Sequence, residues 1–268
     1  MFNTLLVRPL FNLLVVIYAY LPGHSLGLAV IVFTLLVRAA LWPIVAKQLH
    51  SQKAMQALNP EIAKARAEAA GDKQKESQLL MELYKSRNIN PLASLLPVLV
   101  QLPIFLALFS VLRDIIKPEQ LAKLAYGWVA RLDDVAGLVS GQSAINTHFL
   151  QFIDLSKPSP VLAVLAGILQ YFQTKQIMAS GQKDAQAQAM ASMSVIFPVL
   201  TVVIGLTLPS ALALYWVATS LVAIFQQWYL LKRDVVEMEA IVESTATEVV
   251  ATEKTAVLPE RKRVGKRK

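Results

Sequence analysis

Long apolar stretches alternate with polar blocks along this chain. Five of the apolar stretches approach the ~20 residues that a helix needs to cross a 30 Å hydrocarbon layer. They run approximately over residues 26–46, 92–112, 161–178, 190–208 and 211–231. A core helix of a soluble protein seldom sustains so many apolar positions. The pattern therefore predicts an all-α integral membrane protein with five transmembrane helices.

The polar blocks between these stretches complete the predicted layout. An N-terminal segment (1–22) precedes the first transmembrane helix (23–46), and a cytoplasmic helical hairpin (47–90) follows it. The remaining segments are a second transmembrane helix (91–112), an extracytoplasmic loop (113–160), a third transmembrane helix (161–178), a cytoplasmic loop (179–189), two further transmembrane helices (190–208 and 209–231) and a basic tail (232–268).

The N-terminal segment is apolar but interrupted. Arg8, Pro9 and Asn12 break it, and the uninterrupted part, 13–21, is too short to span. This pattern favours an amphipathic helix that lies in the membrane interface. A sixth span or an uncleaved signal anchor is the alternative, and it would place the N-terminus inside. No small-residue cleavage site of the A-x-A kind follows the segment.

The first polar block has the spacing of a helical hairpin. Apolar residues recur every three or four positions, Asn59-Pro60-Glu61 is typical of a helix start, and Gly71-Asp72 predicts the turn. The apolar positions are Met55, Leu58, Ile62, Ala65 and Ala69 on the first helix and Leu79, Leu80, Leu83 and Tyr84 on the second. On this pattern alone, a solvated hairpin that binds no partner is as good an interpretation as a hairpin that binds one.

The second polar block predicts one amphipathic helix around 118–139. Its apolar positions suggest contact with the membrane surface or the ends of the bundle; they are Leu121, Leu124, Trp128 and Leu132. No catalytic constellation is found in this block. We interpret Asp133, Asp134 and Asp154 as solvated surface acids.

The composition limits the kinds of chemistry that this chain can carry out. Hydrophobic residues make up 55% of the chain and charged residues 16%. The chain has no cysteine, which excludes disulfides, thiol catalysis and cysteine-ligated metal sites. Its three histidines are scattered without metal-ligand spacing. We therefore expect neither an enzyme nor a metal or other cofactor.

The net charge of +8 is unevenly distributed and orients the bundle. Of the Lys and Arg residues other than Arg38, the hairpin, the 175–183 region and the tail together carry 19, whereas the N-terminal segment and the second polar block carry six. Positive residues concentrate on the cytoplasmic side of bacterial membranes. With five spans, the N-terminus is predicted outside and the C-terminus in the cytoplasm.

Arg38 is the most informative residue, because it lies near the middle of the first span. A charged residue there costs roughly 2.5–3.5 kcal/mol on insertion scales, so it marks a functional site by default. The spans contain no acidic residue, and their only other charge is Lys175 near a helix end. A buried ion pair and a proton relay are both hard to support. The remaining interpretation is that Arg38 is hydrated in an aqueous groove. The alternative is that Arg38 is paired inside the bundle and serves packing alone.

Several uncharged polar residues lie at membrane depth and are candidates for that groove. Thr34 precedes Arg38 by one helical turn and shares its face. The others are Gln101, Gln170, Gln173, Thr174, Thr201, Thr219 and Ser220. For each of them, hydrogen bonding between helices is the commoner explanation. A small-anion transporter or channel that uses Arg38 as its binding charge is a rival function, and a membrane scaffold is a second rival.

A family resemblance covers about residues 5 to 232 in unbroken order. The segments that carry it are LFNLLVVIYAYLPG, VIVFTLLVRAALWPI, LNPEIAKARAEAAGDKQKESQLLMELYKSRNINPLASLLPVLVQLPIFLALF, FIDLSKPSP and LTLPSALALYWVATSLVAIFQQ. The most specific signal combines the run N-P-x-x-x-x-x-P-x-x-x-Q-x-P-I-F with the membrane arginine. On these motifs the chain resembles the YidC family of membrane protein insertases.

The resemblance implies a five-span core with a hydrophilic groove that is open to cytoplasm and lipid and closed toward the outside. Arg38 matches the groove arginine, Gln101 the glutamine of the Q-x-P-I-F motif, and Tyr215 and Trp216 the aromatics of the last span. It also implies nascent membrane proteins as substrates, the Sec translocon as a further partner, the bacterial inner membrane as location, and no binding of DNA.

The basic tail has two interpretations. It resembles the ribosome-contacting tails of related proteins, and attraction to anionic lipid explains it equally well. Its basic residues are Arg261, Lys262, Arg263, Lys266, Arg267 and Lys268.

Two departures from the family pattern stand out. The sequence shows no large extracytoplasmic domain or extra first span, which indicates the compact form of the family. Before Asp154 it reads FLQFI, where many members have a tryptophan.

Overall fold

The computed structural model describes residues 2–87, 96–177, 185–230 and 232, and they are mostly helical. A π-helical turn (Asn3–Val7) leads into the first helix. The helices are α1 (Arg8–Tyr20), α2 (Leu26–Ala40), α3 (Trp42–Ala57), α4 (Asn59–Ala69), α5 (Lys73–Ser86), α6 (Leu96–Asp114), α7 (Pro118–Leu124), α8 (Asp133–Val139), α9 (Pro160–Ile177), α10 (Ala185–Gly205) and α11 (Ser210–Leu230). Two short strands, β1 (His148–Phe149) and β2 (Ile153–Asp154), pair antiparallel. Met1–Phe225 forms one compact unit, and a second unit begins at Gln226.

The first predicted span is bent. The axes of Leu26–Ala40 and Trp42–Leu49 differ by 60° across a break at Leu41. Pro43 explains the break, because it lacks an N–H and its ring clashes with the carbonyl four residues earlier. The predicted span 26–46 runs through this proline without a break, so the bend was not predicted.

Candidate spans can be compared by length and composition. Two of the described helices, Asn3–Tyr20 and Ser210–Leu230, are long and apolar enough to cross a membrane by themselves, and the bent pair α2–α3 makes a third if it counts as one span. The other predicted spans fall on α6, α9 and α10. The five-span count stays a prediction, as does the choice between an interfacial and a spanning N-terminal helix.

The buried core is concentrated in one half of the helical bundle, which we call the packed half. It comprises residues 26–34 of α2, 107–114 of α6, 162–167 of α9 and 210–215 of α11. The same region includes helices α1, α7 and α8 and the β-hairpin. Together we call these elements the loop layer. The apolar side chains of α2, α6 and α11 and those of the loop layer form one core cluster.

The other half of the bundle is much less buried, and we call it the open half. It comprises residues 35–47 of α2 and α3, 102–106 of α6 and 168–176 of α9, none of which is buried. Large apolar side chains are exposed here, as expected for a surface in contact with lipid; they include Leu35, Leu36, Leu102, Leu106 and Phe172.

Helices α4 and α5 form a hairpin. Ala70 and Gly71 adopt left-handed backbone conformations, and the Asp72 side chain accepts hydrogen bonds from the amides of Gln74 and Lys75 at the start of α5. Leu58, Ile62 and Tyr84 form a small core of their own. The turn therefore lies where Gly71-Asp72 predicts it. The cytoplasmic location of the hairpin stays a prediction.

The single amphipathic helix predicted over 118–139 is wrong. The structure has two short helices, α7 and α8, separated by an irregular segment. The Asn12 side chain of α1 explains the break, because its Nδ2 donates to the Leu124 carbonyl (3.0 Å) and its Oδ1 accepts from the Tyr126 amide (2.6 Å). Arg8 Nε also donates to the Leu124 carbonyl, at 3.2 Å. These bonds replace those that a continuing helix would make within itself.

The apolar residues of that segment divide between core and surface. Leu121 is buried, and Leu124 and Leu132 pack against the main core cluster. Trp128 is instead 61% exposed. Only Trp128 has the exposure that was predicted for contact with the membrane surface.

Helices α9 and α10 approach each other closely. An added Cβ at Gly167 would lie 2.4 Å from Val202 Cγ2, and one at Gly205 would lie 2.9 Å from Ala163 Cβ. Small residues thus bring the two backbones together, as is common between membrane helices.

Candidate functional site: the surroundings of Arg38

Arg38 lies on α2 in the open half, three residues before the break at Leu41. Its side chain is half-buried. Within the described part of the chain it forms neither a hydrogen bond nor an ion pair. The Tyr215 side chain of α11 lies within electrostatic range of its guanidinium. A permanently charged group with five donors therefore has no fixed acceptor among the described residues.

Tyr215 and Trp216 lie on α11 and have different surroundings. Tyr215 is buried in the main core cluster, whereas Trp216 is partly exposed and stacks on Phe105 of α6. The two rings are parallel within 3°, with centroids 5.7 Å apart. Phe105 belongs to the predicted Q-x-P-I-F motif, so the stack joins that motif to the aromatic pair.

Gln170 and Thr174 belong to a polar cluster between α9 and α10. Thr201 Oγ1 donates to Gln170 Oε1, and Thr174 Oγ1 donates to the Gln170 carbonyl at 2.8 Å. The bond between Thr201 and Gln170 joins α10 to α9, which is the interhelical role predicted as the commoner one for such residues, whereas Thr174 bonds within its own helix. No described contact joins this cluster to Arg38.

Thr34 and Thr219 are both buried, but their hydroxyls differ. Thr34 Oγ1 donates to the Val30 carbonyl of its own helix at 2.7 Å. Thr219 Oγ1 is buried and has no hydrogen-bond partner among the described residues. Thr219 therefore keeps an available hydroxyl, whereas the hydroxyl of Thr34 is already bonded. The side chain of Gln101 and residues 233–268 of the basic tail lie outside the described residues.

Asp154 is a structured residue and not the solvated acid expected from sequence. Its Oδ1 accepts hydrogen bonds from Thr147 Oγ1 (2.9 Å), the Ser156 amide (3.0 Å) and Ser156 Oγ (2.6 Å). Lys157 Nζ lies 3.5 Å from Oδ2. These donors, Ser156 above all, hold the pKa of the Asp154 carboxyl well below its usual range. By contrast, Asp133 and Asp134 are exposed, as predicted.

The segment around Asp154 also fixes the start of α11. The Ser210 amide donates to the Lys157 carbonyl (2.9 Å), and the Ala211 amide donates to the Leu155 carbonyl (3.1 Å). Ser210 Oγ donates to the Asp154 carbonyl at 3.2 Å. The helix that carries Tyr215 and Thr219 is therefore positioned by the loop layer. In the sequence, the turn at residues 154–157 was indicated by a serine two residues after an aspartate.

The described residues contain no cluster of three or more His, Asp or Glu side chains that could hold a metal ion.

Comparisons with known proteins identify the family. The sequence profile of the family described as 60Kd inner membrane protein matches residues 16–237. A membrane protein insertase YidC of Fusobacterium nucleatum is 36% identical over 78% of this chain and 87% of that protein. The membrane protein insertase MisCA of Bacillus subtilis is 31% identical over 85% and 78%, respectively. This chain belongs to the YidC family of membrane protein insertases.

Two further comparisons are with longer YidC proteins, of which this YidC family member matches only a part. A YidC of Azotobacter vinelandii is 32% identical over 85% of this chain but only 36% of its own length. A crystal structure of an active YidC insertase with its first transmembrane domain resolved matches with a TM-score of 0.50 and 28% identity. That match covers 76% of this chain and 41% of the other. The helical fold described above is therefore the fold of the family.

Proposed function

We propose that this YidC family member receives hydrophobic segments of nascent membrane proteins in a hydrophilic groove that contains Arg38. The segments then leave sideways into the lipid bilayer. The relatives are named membrane protein insertases. The observation that carries the groove is the half-buried guanidinium of Arg38, which has no hydrogen bond or ion pair among the described residues. None of the comparisons favours the small-anion transporter or channel.

The charge of Arg38 gives the groove its chemistry. A guanidinium stays protonated at any accessible pH, so within the membrane it needs water or acceptor groups. No carboxylate lies in the predicted spans. A short polar or acidic flank of an entering substrate supplies such acceptors. Its attraction to Arg38 shortens the apolar barrier that the flank has to cross.

The groove draws its walls from the open half and from residues 215–219 of α11. Tyr215, Trp216 and Thr219 present aromatic and hydroxyl groups along α11, and the available hydroxyl of Thr219 supports a polar lining. Gln101 belongs to the proposed lining through its motif. Gln170, Thr174 and Thr34 are proposed as supporting residues, because their hydrogen bonds lie within the helices or between α9 and α10.

An apolar surface for the substrate lies on α9 and α10. A cleft of about 430 Å³ runs between them and is lined by apolar and aromatic side chains, including Tyr171, Phe172 and Val199. A hydrophobic segment that moves into lipid gains a few tenths of a kcal/mol for each apolar residue at membrane depth. Over about 20 such residues this gain drives insertion without nucleotide. The sequence has no Walker-type phosphate-binding motif, which is consistent with this proposal.

The proposed topology places the N-terminus outside and the C-terminus in the cytoplasm. It rests on the excess of Lys and Arg in the hairpin and tail. One structural relation supports it. The first residues of α2 and α11 both bond to the segment 146–157, so the two helices enter the membrane from the same side. With five spans, the first and the last run in the same direction.

The N-terminal helix is proposed to be interfacial. Arg8 and Asn12 lie in its middle and bond to residues 124 and 126 of the loop layer. A spanning helix would meet such a connecting segment at one end only. The Sec translocon, and the ribosome or anionic lipid at the basic tail, are proposed as partners on the family resemblance alone.

Crosslinking from position 38 to ribosome-bound nascent chains tests the groove. We expect crosslinks to the hydrophobic segment during insertion, and we expect Arg38→Ala to lower insertion at least tenfold with normal protein abundance. Arg38→Lys separates the two properties of arginine, because it keeps the charge and loses the planar fork.

Arg131→Ala is the matched control, because Arg131 is an exposed arginine of the loop layer. It should insert substrates as the wild type does. An Arg38→Ala variant that is fully active and yields no crosslink at position 38 would overturn the proposal.

A further inference from the structure

The loop between β1 and β2 exposes apolar side chains. Phe149 pairs with Ile153, and residues 150–152 connect the strands. Leu150 is 61% exposed and Phe152 is 76% exposed. The stretch 149–153, with the sequence FLQFI, carries no charge. In a water-facing loop, polar turn residues would be expected at such positions.

One side of this hairpin is attached to the first residues of α2. The Leu26 amide donates to the Asn146 carbonyl at 3.0 Å. The Phe149 ring lies against Gly27, where an added Cβ would come within 2.2 Å of the ring carbon Cδ2. The Tyr18 hydroxyl accepts a hydrogen bond from the Asn146 amide at 2.9 Å, which joins the same segment to α1.

The other side is attached to the first residues of α11. The carbonyls of Asp154, Leu155 and Lys157 accept hydrogen bonds from Ser210 and Ala211. Asp154 is also held in place by Thr147 and Ser156. The base of the hairpin therefore lies between the first turns of two helices and is fixed to both.

These attachments set the depth of the hairpin tip. Helix α11, and α2 together with α3, have the length and composition to cross the membrane. A helix of about 20 residues just spans the hydrocarbon, so the first residues of both lie at a membrane boundary. The three connecting residues reach at most about 10 Å from the strands. The exposed side chains of Leu150 and Phe152 are thus confined to that boundary.

We propose that residues 150–152 insert into the lipid leaflet next to the first turns of α2 and α11. In the proposed topology this is the outer leaflet. Aromatic and apolar side chains at this depth remove their surface from water without burying a charge. Lys157, whose side chain is 77% exposed, lies close by in sequence and is suited to the phosphate groups of the lipids. The inserted tip anchors the loop layer to the membrane and goes beyond the groove proposal.

Depth-dependent fluorescence quenching tests this anchor. The chain has no native cysteine, so Phe152→Cys or Leu150→Cys gives the full-length protein a single labelling site for an environment-sensitive fluorophore. The protein is reconstituted into phosphatidylcholine and phosphatidylglycerol vesicles that contain lipids spin-labelled either near the headgroup or deep in the acyl chain. We expect blue-shifted emission from both sites and at least twofold stronger quenching by the shallow label.

Gln142→Cys is the matched control, since Gln142 is an exposed residue in the same 113–160 block. Its label should emit as in water and respond to iodide instead of lipid. Water-like emission at 150 and 152, with iodide quenching equal to that at 142, would overturn the proposal. Blue-shifted emission without lipid quenching would also overturn it, because a protein surface would then cover the tip. Both sites are exposed, so neither substitution disturbs the core.

Discussion

The packed half and the open half of the bundle treat their polar groups in opposite ways. In the packed half and its loop layer, buried polar side chains are fully bonded. Asn12 is 2% exposed and engages three backbone groups, and Asp154 binds several donors. In the open half, Arg38 has no hydrogen bond or ion pair among the described residues. On the buried part of α11 that follows residue 215, the Thr219 hydroxyl likewise has no hydrogen-bond partner among them.

In the proposed function, the packed half and its loop layer support the fold, whereas the open half receives the substrate. Saturated hydrogen bonds and a dense core fix the ends of α2, α6 and α11, because breaking them exposes buried groups that cannot find new partners. Unsatisfied groups next to lipid-exposed side chains instead leave room for a transient partner. A protein that passes substrates sideways needs one rigid region that seals and one region whose polar groups are satisfied only in passing. Substitutions in the two halves should therefore affect different measurements.

The largest effect on stability is expected from Asn12→Ala. The change leaves the Tyr126 amide without its acceptor and opens a small cavity under the loop layer. Both effects together should lower the free energy of unfolding by about 3 kcal/mol. Thermal unfolding of the purified protein in detergent measures this change. Asn3→Ala is the control, because Asn3 is exposed in the same N-terminal segment. Equal melting temperatures for both variants would show that the packed half does not depend on this residue.

A smaller and pH-dependent effect is expected from Asp154→Asn. The lowered pKa of Asp154 means that the folded state favours the carboxylate, so its contribution is fully present above the unfolded pKa of about 4 and is lost as the pH falls below it. We expect a loss of about 1.5 kcal/mol at pH 7 that shrinks below pH 4. Thermal unfolding from pH 3 to 8 measures it.

Asp133→Asn replaces an exposed acid of the same loop layer and should show no such dependence. A stability difference for Asp154→Asn that is constant down to pH 3 would mean that the charge of the carboxyl is irrelevant.

Sequence reasoning located the helices better than the loop layer. Apolar periodicity and length depend on local residues only, so the α4–α5 turn and the short connection between α10 and α11 could be predicted. The break between α7 and α8 depends on Asn12, which lies over 110 positions away in the chain. In the sequence, Asn12 only appeared to interrupt an apolar segment. The bend at Pro43 was visible in the sequence as a proline within the first span, but its 60° angle was not.

The candidate site shows the same limit. The charge of Arg38 was evident without a structure, because any arginine within a span is costly. The bonding states of the polar residues around it were not, since they depend on which helices meet. Thr34, Thr201 and Thr219 look alike in sequence, yet of these three only Thr219 has a hydroxyl without a hydrogen-bond partner among the described residues.

The smallest effect on stability is expected from Thr219→Val. Valine is close to threonine in shape, and the lost hydroxyl has no partner, so the free energy of unfolding should change by less than about 0.5 kcal/mol or rise slightly. Thr201→Val is the matched control, because it removes the bond to Gln170 and should cost about 1 kcal/mol. Insertion should respond in the opposite order. If the Thr219 hydroxyl bonds to groove water or a passing segment, its loss slows insertion about fivefold, as for one hydrogen bond. Normal insertion by Thr219→Val would remove Thr219 from the groove. The charge of Arg38, which has no hydrogen bond or ion pair among the described residues, would then be the property that distinguishes the open half.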